Sequence, residues 1–418
     1  MKRSIIISLV ILVSIILINC YKEPKKEYIQ LPKVSEPIQI THGPHEHFFA
    51  SYYGINSWSK TQQYATVLET DIKDRTPSED EPATLGLVNM KTKAFIPLTK
   101  TRTWNFQQGC MAHWLGTSPD SLIIFNDLRN GSFVSVIMNV HNKQEIRKFS
   151  FPISGVSHEG KKAASINFAR LYLTRGGSYG YGGRGQDPFE DEPFPENDGL
   201  FLVDLQTGEK ELLVSYAEIK ELVPEIPEDH LEYFNCTLFS DDGSKIMWLA
   251  RAFSKKNPSR FINTTFFTVN RDGSNLQKCF PEGWGGSHFD WLNGDTLMIT
   301  ALYDRKQFGH VMFTAGEQDY KLLGKGLLDY DGHGTFSPNE KWIVTDSYPN
   351  KLNEQKLFLM DMETEAVLQL GRFYQPPEFK DEWRCDLHAR WSPNSDMIGF
   401  NSTHTGSRQV YVIKLLNK

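Results

Sequence analysis

Cysteine is scarce and unclustered in this chain. Only five occur in 418 residues, and beyond Cys20 the other four, Cys110, Cys236, Cys279 and Cys385, stand far apart with no C-x-x-C spacing. That pattern excludes a zinc ribbon. Four cysteines admit three disulfide pairings, their spacing favours none, and they are left unpaired. Basic runs are missing too. The net charge is −6, more negative once Lys2 and Arg3 are discounted, so no nucleic-acid partner is expected and an anionic ligand would need a local positive site. Helical periodicity is nearly absent: one helix is expected near Ser215 to Leu222, and the rest from residue 38 onward is short β-rich runs broken by Asp-Gly, Asn-Gly, Ser-Pro and Thr-Gly turns. This describes an all-β chain.

The first residues read as a targeting segment. Met1-Lys2-Arg3 precedes an apolar stretch from Ile5 to Ile18, and Leu17-Ile18-Asn19-Cys20 then meets the polar Tyr-Lys-Glu-Pro-Lys-Lys. The phrase resembles a bacterial lipoprotein processing site, with an uncleaved anchor as the alternative. The expectation is a signal peptide over 1–19, lipidation at Cys20 and a flexible tether over 20–37. The body would then be held at a membrane in the cell envelope, the outer membrane favoured, periplasmic or surface-facing.

Two phrases alternate along the body. The first is an aromatic, a turn and an apolar strand: Trp114-Leu-Gly-Thr-Ser-Pro-Asp, Phe239-Ser-Asp-Asp-Gly, Trp291-Leu-Asn-Gly-Asp, Phe336-Ser-Pro-Asn-Glu and Trp391-Ser-Pro-Asn-Ser. A weaker copy at Val156 and a divergent one around Phe48 to Tyr53 bring the count to seven. The later anchors are 52, 45 and 55 residues apart, which suits four-stranded blades. The second phrase marks outer hairpins: Val203-Asp-Leu-Gln-Thr-Gly-Glu, Val269-Asn-Arg-Asp-Gly-Ser, Met360-Asp-Met-Glu-Thr-Glu and Val88-Asn-Met-Lys-Thr-Lys. The pattern predicts a seven-bladed β-propeller over 38–418, with an insertion at 174–198 whose glycine-rich start suits a loop over a binding face.

Three residues before the anchors stand Met111, Ile153, Cys236, His288, His333 and His388. In a propeller this position opens the innermost strand, so His288, His333 and His388, on consecutive blades, would share the channel mouth. Asp386 lies two before His388, on the same side of a strand. Imidazoles and a carboxylate in that arrangement would bind a divalent ion. Alternatively, the histidines bond neighbouring loops.

The two phrases resemble the TolB-type propeller repeat, and the constellation is similar to that of the oligogalacturonate lyases. That family is seven-bladed and cleaves uronate oligosaccharides by β-elimination with manganese. Its Thr-His-Glu-Phe-Trp phrase, which supplies a metal ligand, matches Ser287-His288-Phe289-Asp290-Trp291. Its Gln-x-x-His-Pro-His phrase falls on Trp383-Arg-Cys-Asp386-Leu-His388, so His388 carries over while Asp386 and Trp383 replace a histidine and the glutamine. At Cys236 the family has a catalytic histidine, which cannot be carried over. The resemblance spans residues 38 to 418 but is close only around Ser287 and from Asp331 to Gln409. Trp104-Asn-Phe-Gln-Gln-Gly-Cys-Met is reminiscent of bacterial relatives of these lyases, suggesting a side branch with a different substrate.

The resemblance implies a divalent cofactor, manganese before zinc or calcium, and an anionic oligo- or polysaccharide as substrate. Lyase chemistry requires that the uronate carboxylate be neutralised and a base be in reach. Candidate clamps are Arg170, Arg384, Arg390 and Arg408, with Gln107 and Gln108 for sugar hydroxyls. Candidate bases are His45, His47, Tyr179 and Tyr181. A monomeric polysaccharide lyase is the leading expectation. A non-catalytic TolB-like propeller that binds a glycan or partner protein is the alternative, and a glycosidase would need a pair of acids.

Overall fold

The computed structural model describes residues 31–176, 187–254, 257–279, 284–303 and 307–416. Seven four-stranded antiparallel sheets follow one another along the chain. One strand, β1 (Ile38–Gln39), comes first in sequence but belongs to the last blade. Blade one is β2–β5 (Glu46–Phe49, Tyr64–Thr70, Ala83–Asn89, Phe95–Thr101), and blade two is β6–β9 (His113–Trp114, Leu122–Arg129, Ser132–Asn139, Glu145–Phe149). Blade three is β10–β13 (Gly155–Val156, Lys162–Ser165, Gly199–Asp204, Lys210–Ser215), and blade four β14–β17 (His230–Phe239, Lys245–Ser254, Asn257–Asn270, Gln277–Lys278). Blades five and six are β18–β21 (Gly285–Trp291, Thr296–Tyr303, Gln307–Thr314, Tyr320–Leu323) and β22–β25 (Thr335–Phe336, Trp342–Asp346, Glu354–Asp361, Val367–Tyr374). Blade seven is β26–β28 (Arg390–Trp391, Met397–Ser402, Gln409–Lys414), closed by β1 as its outer strand with Ile38 opposite Val412. That pairing shuts the ring and leaves no free edge between the ends of the wheel.

The recurring phrases have recurring chemistry. After the inner strands of blades three, four, six and seven a serine hydroxyl accepts the backbone N–H five residues on: Ser157 from Lys162, Ser240 from Lys245, Ser337 from Trp342 and Ser392 from Met397. In the outer hairpins Asn89, Asp204 and Asp361 each accept two backbone N–H groups with one side-chain oxygen. These self-contained turns form from local sequence alone. The anchors then join the blades. The indoles of Trp114, Trp291 and Trp391 donate to carbonyls of the preceding blade, those of Ser57, Leu238 and Thr335. Phe239 and Phe336 are buried at the equivalent place, each contributing about 1.5–3 kcal/mol of burial.

Among the described residues two α-helices interrupt the pattern. The expected one is α2 (Tyr216–Leu222), opened by a capping box between Ser215 and Glu218. The other, α1 (Phe168–Arg175), lies in the blade-three insertion between β11 and β12, with Asn167 capping the N–H of Arg170. The insertion therefore begins before residue 174, because Phe168 and Leu171 are buried in the core and tie the helix down.

Candidate metal centre

His288 lies within the inner strand of blade five, His333 and His388 stand two residues before those of blades six and seven, and the ring brings them together. The ring centroids of His288 and His333 are 4.0 Å apart, those of His333 and His388 4.3 Å. All three are buried. The backbone turns sharply to aim these side chains inward. His388 adopts φ +49°, and the equivalent Cys236 and Met111 adopt +54° and +53°, a left-handed conformation that costs a non-glycine residue stability and marks a constrained site. His333 instead sits between glycines. At Gly332 a Cβ would lie 1.9 Å from the carbonyl oxygen of Asp346, so no other residue fits there.

His333, Asp386 and His388 offer ligand atoms that all lie within 4.8 Å of one another. His333 Nε2, Asp386 Oδ1 and His388 Nε2 are buried, and among the described residues each lacks a hydrogen-bond partner. Three unpartnered polar atoms converging in one buried spot are costly unless something binds them. Two imidazoles and a carboxylate suit a divalent ion, and the residues present fit one.

Carboxylates behind the imidazoles hold them in place. Asp346, at the end of β23, accepts from His333 Nδ1 and from the backbone N–H groups of His333 and His388, each at 2.8 Å. Burial opposes ionisation of Asp346, but contact with His333 outweighs it and keeps the carboxyl below its usual range. At His333 burial disfavours the cation, yet Asp346 raises its pKa overall, whereas burial and then His333 lower that of His388. Because Nδ1 of His333 faces Asp346, its Nε2 is the nitrogen left for a ligand.

His288 belongs to a second pair. Its Nδ1 lies 3.0 Å from Asp331 Oδ1, which also accepts from Ser287 Oγ. Burial, then the neighbouring His333, lower the pKa of His288. Burial pushes Asp331 up, but His288 overrides it and the carboxyl is held at about 2. Tyr53 of blade one fills the channel axis, its ring 5.6, 5.0 and 5.9 Å from those of His288, His333 and His388. Its hydroxyl accepts from the N–H of Phe289 and donates to that residue's carbonyl.

The other expected residues divide sharply. Arg384 stands at the mouth, its Nε 2.8 Å from Asp386 Oδ2 and its guanidinium 5.7 Å from the Tyr348 ring centroid. One-fifth of its side chain is exposed. Gln107 and Gln108 lie beside the mouth but are buried: Gln107 exchanges hydrogen bonds with Arg384, while Gln108 bonds Asn235 and Cys236. Arg170, Arg390 and Arg408 are buried braces instead. Arg170 binds the carbonyls of Glu232, Phe189, Glu192 and Pro193 and pairs with Asp187, which fastens the insertion. Arg390 ties blade seven to Ser51 and Ser57 of blade one. Arg408 bonds the Trp383 carbonyl and stacks on Phe106, 3.9 Å from its centroid.

His45 and His47 pair with Asp71 and Glu69 of their own blade, and His47 packs on Phe95 of the outer strand β5. That places His47 away from the channel. Tyr179 and Tyr181 lie outside the described residues. The last described residue before them is Gly176, after α1, where a Cβ would sit 3.0 Å from Glu382 Oε1, so this end of the insertion reaches the segment leading into blade seven. Cys236 lies at the mouth near Gln108 and Arg251, with burial pushing its thiol up to about 12. All four cysteines of the body are free.

Asp331, Asp346, Tyr53 and Tyr348 were not legible as site residues. Asp331-Gly-His333 repeats the spacing of Asp386-Leu-His388, a usable signal. Asp346 carries no such phrase.

No family model and no curated protein matches the sequence. Solved structures do. Oligogalacturonate lyase from Vibrio parahaemolyticus superposes with a TM-score of 0.62 at 14% identity, covering 92% of this chain and 98% of that one. The fold is similar to that of this enzyme. A second such enzyme, in complex with manganese, gives a TM-score of 0.63 at 14% identity with the same coverage. TolB from Acinetobacter baumannii is less similar, with a TM-score of 0.42, 10% identity, and 74% and 63% of the two chains covered.

Proposed function

We propose that this chain is a polysaccharide lyase that cleaves uronate-containing saccharides by metal-assisted β-elimination. The observation carrying this reading is the convergence of three buried, unpartnered ligand atoms, from His333, Asp386 and His388, at the mouth of the channel. A divalent ion held there, manganese before zinc or calcium, would neutralise a uronate carboxylate and acidify the adjoining C–H. Manganese in a solved enzyme of this fold supports that preference.

Arg384 adds a positive charge beside the same spot and can pair with the carboxylate from the solvent side. His288 is the base. Asp331 fixes its Nδ1–H, so Nε2 carries the lone pair, and the lowered pKa keeps the ring neutral near pH 7. Nε2 takes the proton from the carbon next to the carboxylate. That C–H pair becomes the new C=C bond as the glycosidic C–O bond at the adjacent carbon breaks, and the departing oxygen is protonated by solvent. In this reading His288 is a proton acceptor rather than a fourth ligand.

Lipid at Cys20 would hold the monomer at the cell envelope, outer membrane favoured, where polymeric glycans are met. A second reading is a non-catalytic propeller that holds a glycan or partner protein. Cys236 favours it, because a thiol with its pKa near 12 stands where the resemblance expects a catalytic imidazole.

The test is ultraviolet absorbance from an unsaturated uronate, over pectic, ulvan-type and glycosaminoglycan fragments with added Mn²⁺. Wild type should give the rise on one class, and His333→Ala and His288→Ala should abolish it. Silence over the whole panel, or full activity in His333→Ala, would leave the binding reading.

A further inference from the structure

A second polar layer lies one step along the inner strands. Two residues on from His288, His333 and His388 stand Asp290, Thr335 and Arg390, and all three line a cavity of about 190 Å³. Each side chain reaches the next blade. Asp290 Oδ2 accepts the Phe336 N–H, the Thr335 hydroxyl donates to the Ala389 carbonyl, and Arg390 Nη1 binds Ser51 and Ser57 of blade one. A cavity of about 390 Å³ adjoins this one and shares Gly54, Ile55, Asp290 and Trp291 with it.

Arg390 is the unbalanced member of this layer. It is 2% exposed, and among the described residues no carboxylate pairs with its guanidinium. Nε donates to the His388 carbonyl and Nη1 to the two serines, while Nη2 is buried and, among the described residues, has no hydrogen-bond partner. Nη2 is therefore the donor left for the cavity that Arg390 lines. A buried cation with unmet N–H groups is costly until an acceptor reaches it. Asp290 does not balance it, because burial pushes that carboxyl well up, toward the neutral acid, which keeps a donor as well as acceptors. At the rim the exposed Lys60 and His158 stand with Asp241, whose carboxyl burial pushes up too. The remaining wall is apolar. The indole N–H groups of Trp291 and Trp391 turn away into the carbonyls of Leu238 and Thr335, which leaves their rings, with Ile55, Leu292 and Phe336, to line the space.

We propose that this cavity is a second binding site, for a compact monocarboxylate whose head meets Arg390 Nη2 and whose apolar body lies against the aromatic wall. A carboxylate supplies both the missing counter-charge and the missing acceptor, and guanidinium is the side chain that matches it best. The neutral acid of Asp290 can donate to the same head, whereas an organic cation would leave Arg390 unanswered. A bare inorganic anion would leave the rings uncovered. The size fits a small organic acid, since an apolar cavity of about 150 Å³ takes a benzene ring. Nothing in this inference rests on the lyase reading.

Calorimetric titration of the full chain with benzoate, in buffer containing a chelator to keep metal from the imidazoles, tests it. Benzamide serves as the neutral probe of the same shape and nitrate as the planar anion without a body. Benzoate should bind saturably, and both others about tenfold more weakly or not at all. Arg390→Lys, which keeps the charge but removes Nη2, should weaken benzoate about tenfold or more. Gly54→Leu should block the cavity: a Cβ at Gly54 would meet only Leu238 and Asp290, at 3.9 and 4.0 Å, so the larger side chain needs no backbone shift. Should Arg390→Lys fail to fold, Gly54→Leu decides alone. Absence of saturable benzoate binding, equal binding of benzamide or nitrate, or full affinity in Gly54→Leu would overturn the proposal. Lyase activity does not enter these readouts, so the two proposals can fail independently.

Discussion

Replacing Asp346 with asparagine tests whether the imidazole cluster is built to hold a metal. Asp346 touches no proposed substrate, yet its two oxygens accept three N–H groups, His333 N and Nδ1 on Oδ1 and His388 N on Oδ2. Asparagine offers one oxygen and one NH₂, so at least one buried N–H would face another donor at a cost of about 1–3 kcal/mol. His333 loses the anchor that leaves Nε2 free, and losing such a supporting carboxylate weakens metal binding about 10- to 100-fold, or about 1.4–2.7 kcal/mol. Melting with and without Mn²⁺ separates the two effects. At about 100 times Kd the metal stabilises wild type by about 2.7 kcal/mol, and a 30-fold weaker site gains only about 0.9 kcal/mol at the same concentration. For a domain this long those gains are shifts of about 3 °C and about 1 °C. If Asp346→Asn melts earlier without metal but shows the full Mn²⁺ shift, the carboxylate braces the fold only and the metal argument fails.

Three further outcomes follow from other parts of the wheel. Burial pushes the Glu232 carboxyl up to about 8, despite Arg170. A raised carboxyl contributes stability in full below its unfolded value of about 4.3 and loses it as pH climbs through about 8. Glu232→Gln should therefore melt with wild type near about pH 4 and above it near about pH 9, and equal melting at both would refute the burial argument. Trp391→Phe keeps a ring in the core but orphans the Thr335 carbonyl, so denaturant unfolding should show a loss of about 1–3 kcal/mol. Cys236→Ala should reduce lyase turnover by far less than the roughly 100-fold that removal of a general base costs, and a larger loss would return a chemical role to the thiol.

The blades and the α2 cap were readable because their signals are local. A serine that accepts the N–H five residues on, an Asx turn and a capping box each need only a few adjacent residues. The early start of the insertion at α1 was not readable, since that helix depends on Phe168 and Leu171 finding the core rather than on a strong pattern.

The chain alone specified the number of blades, their strands and the place of three histidines at the head of three inner strands, because period and turn chemistry repeat along one dimension. Which polar groups serve that place was decided only when the ring closed. Arg384 reaches the mouth while Arg170, Arg390 and Arg408 are drawn into carbonyls and rings of neighbouring blades. Asp346, whose surroundings in sequence are ordinary, arrives at two histidines from an adjacent strand. Side-chain direction across a blade interface depends on contacts between residues hundreds of positions apart, and no local spacing encodes those.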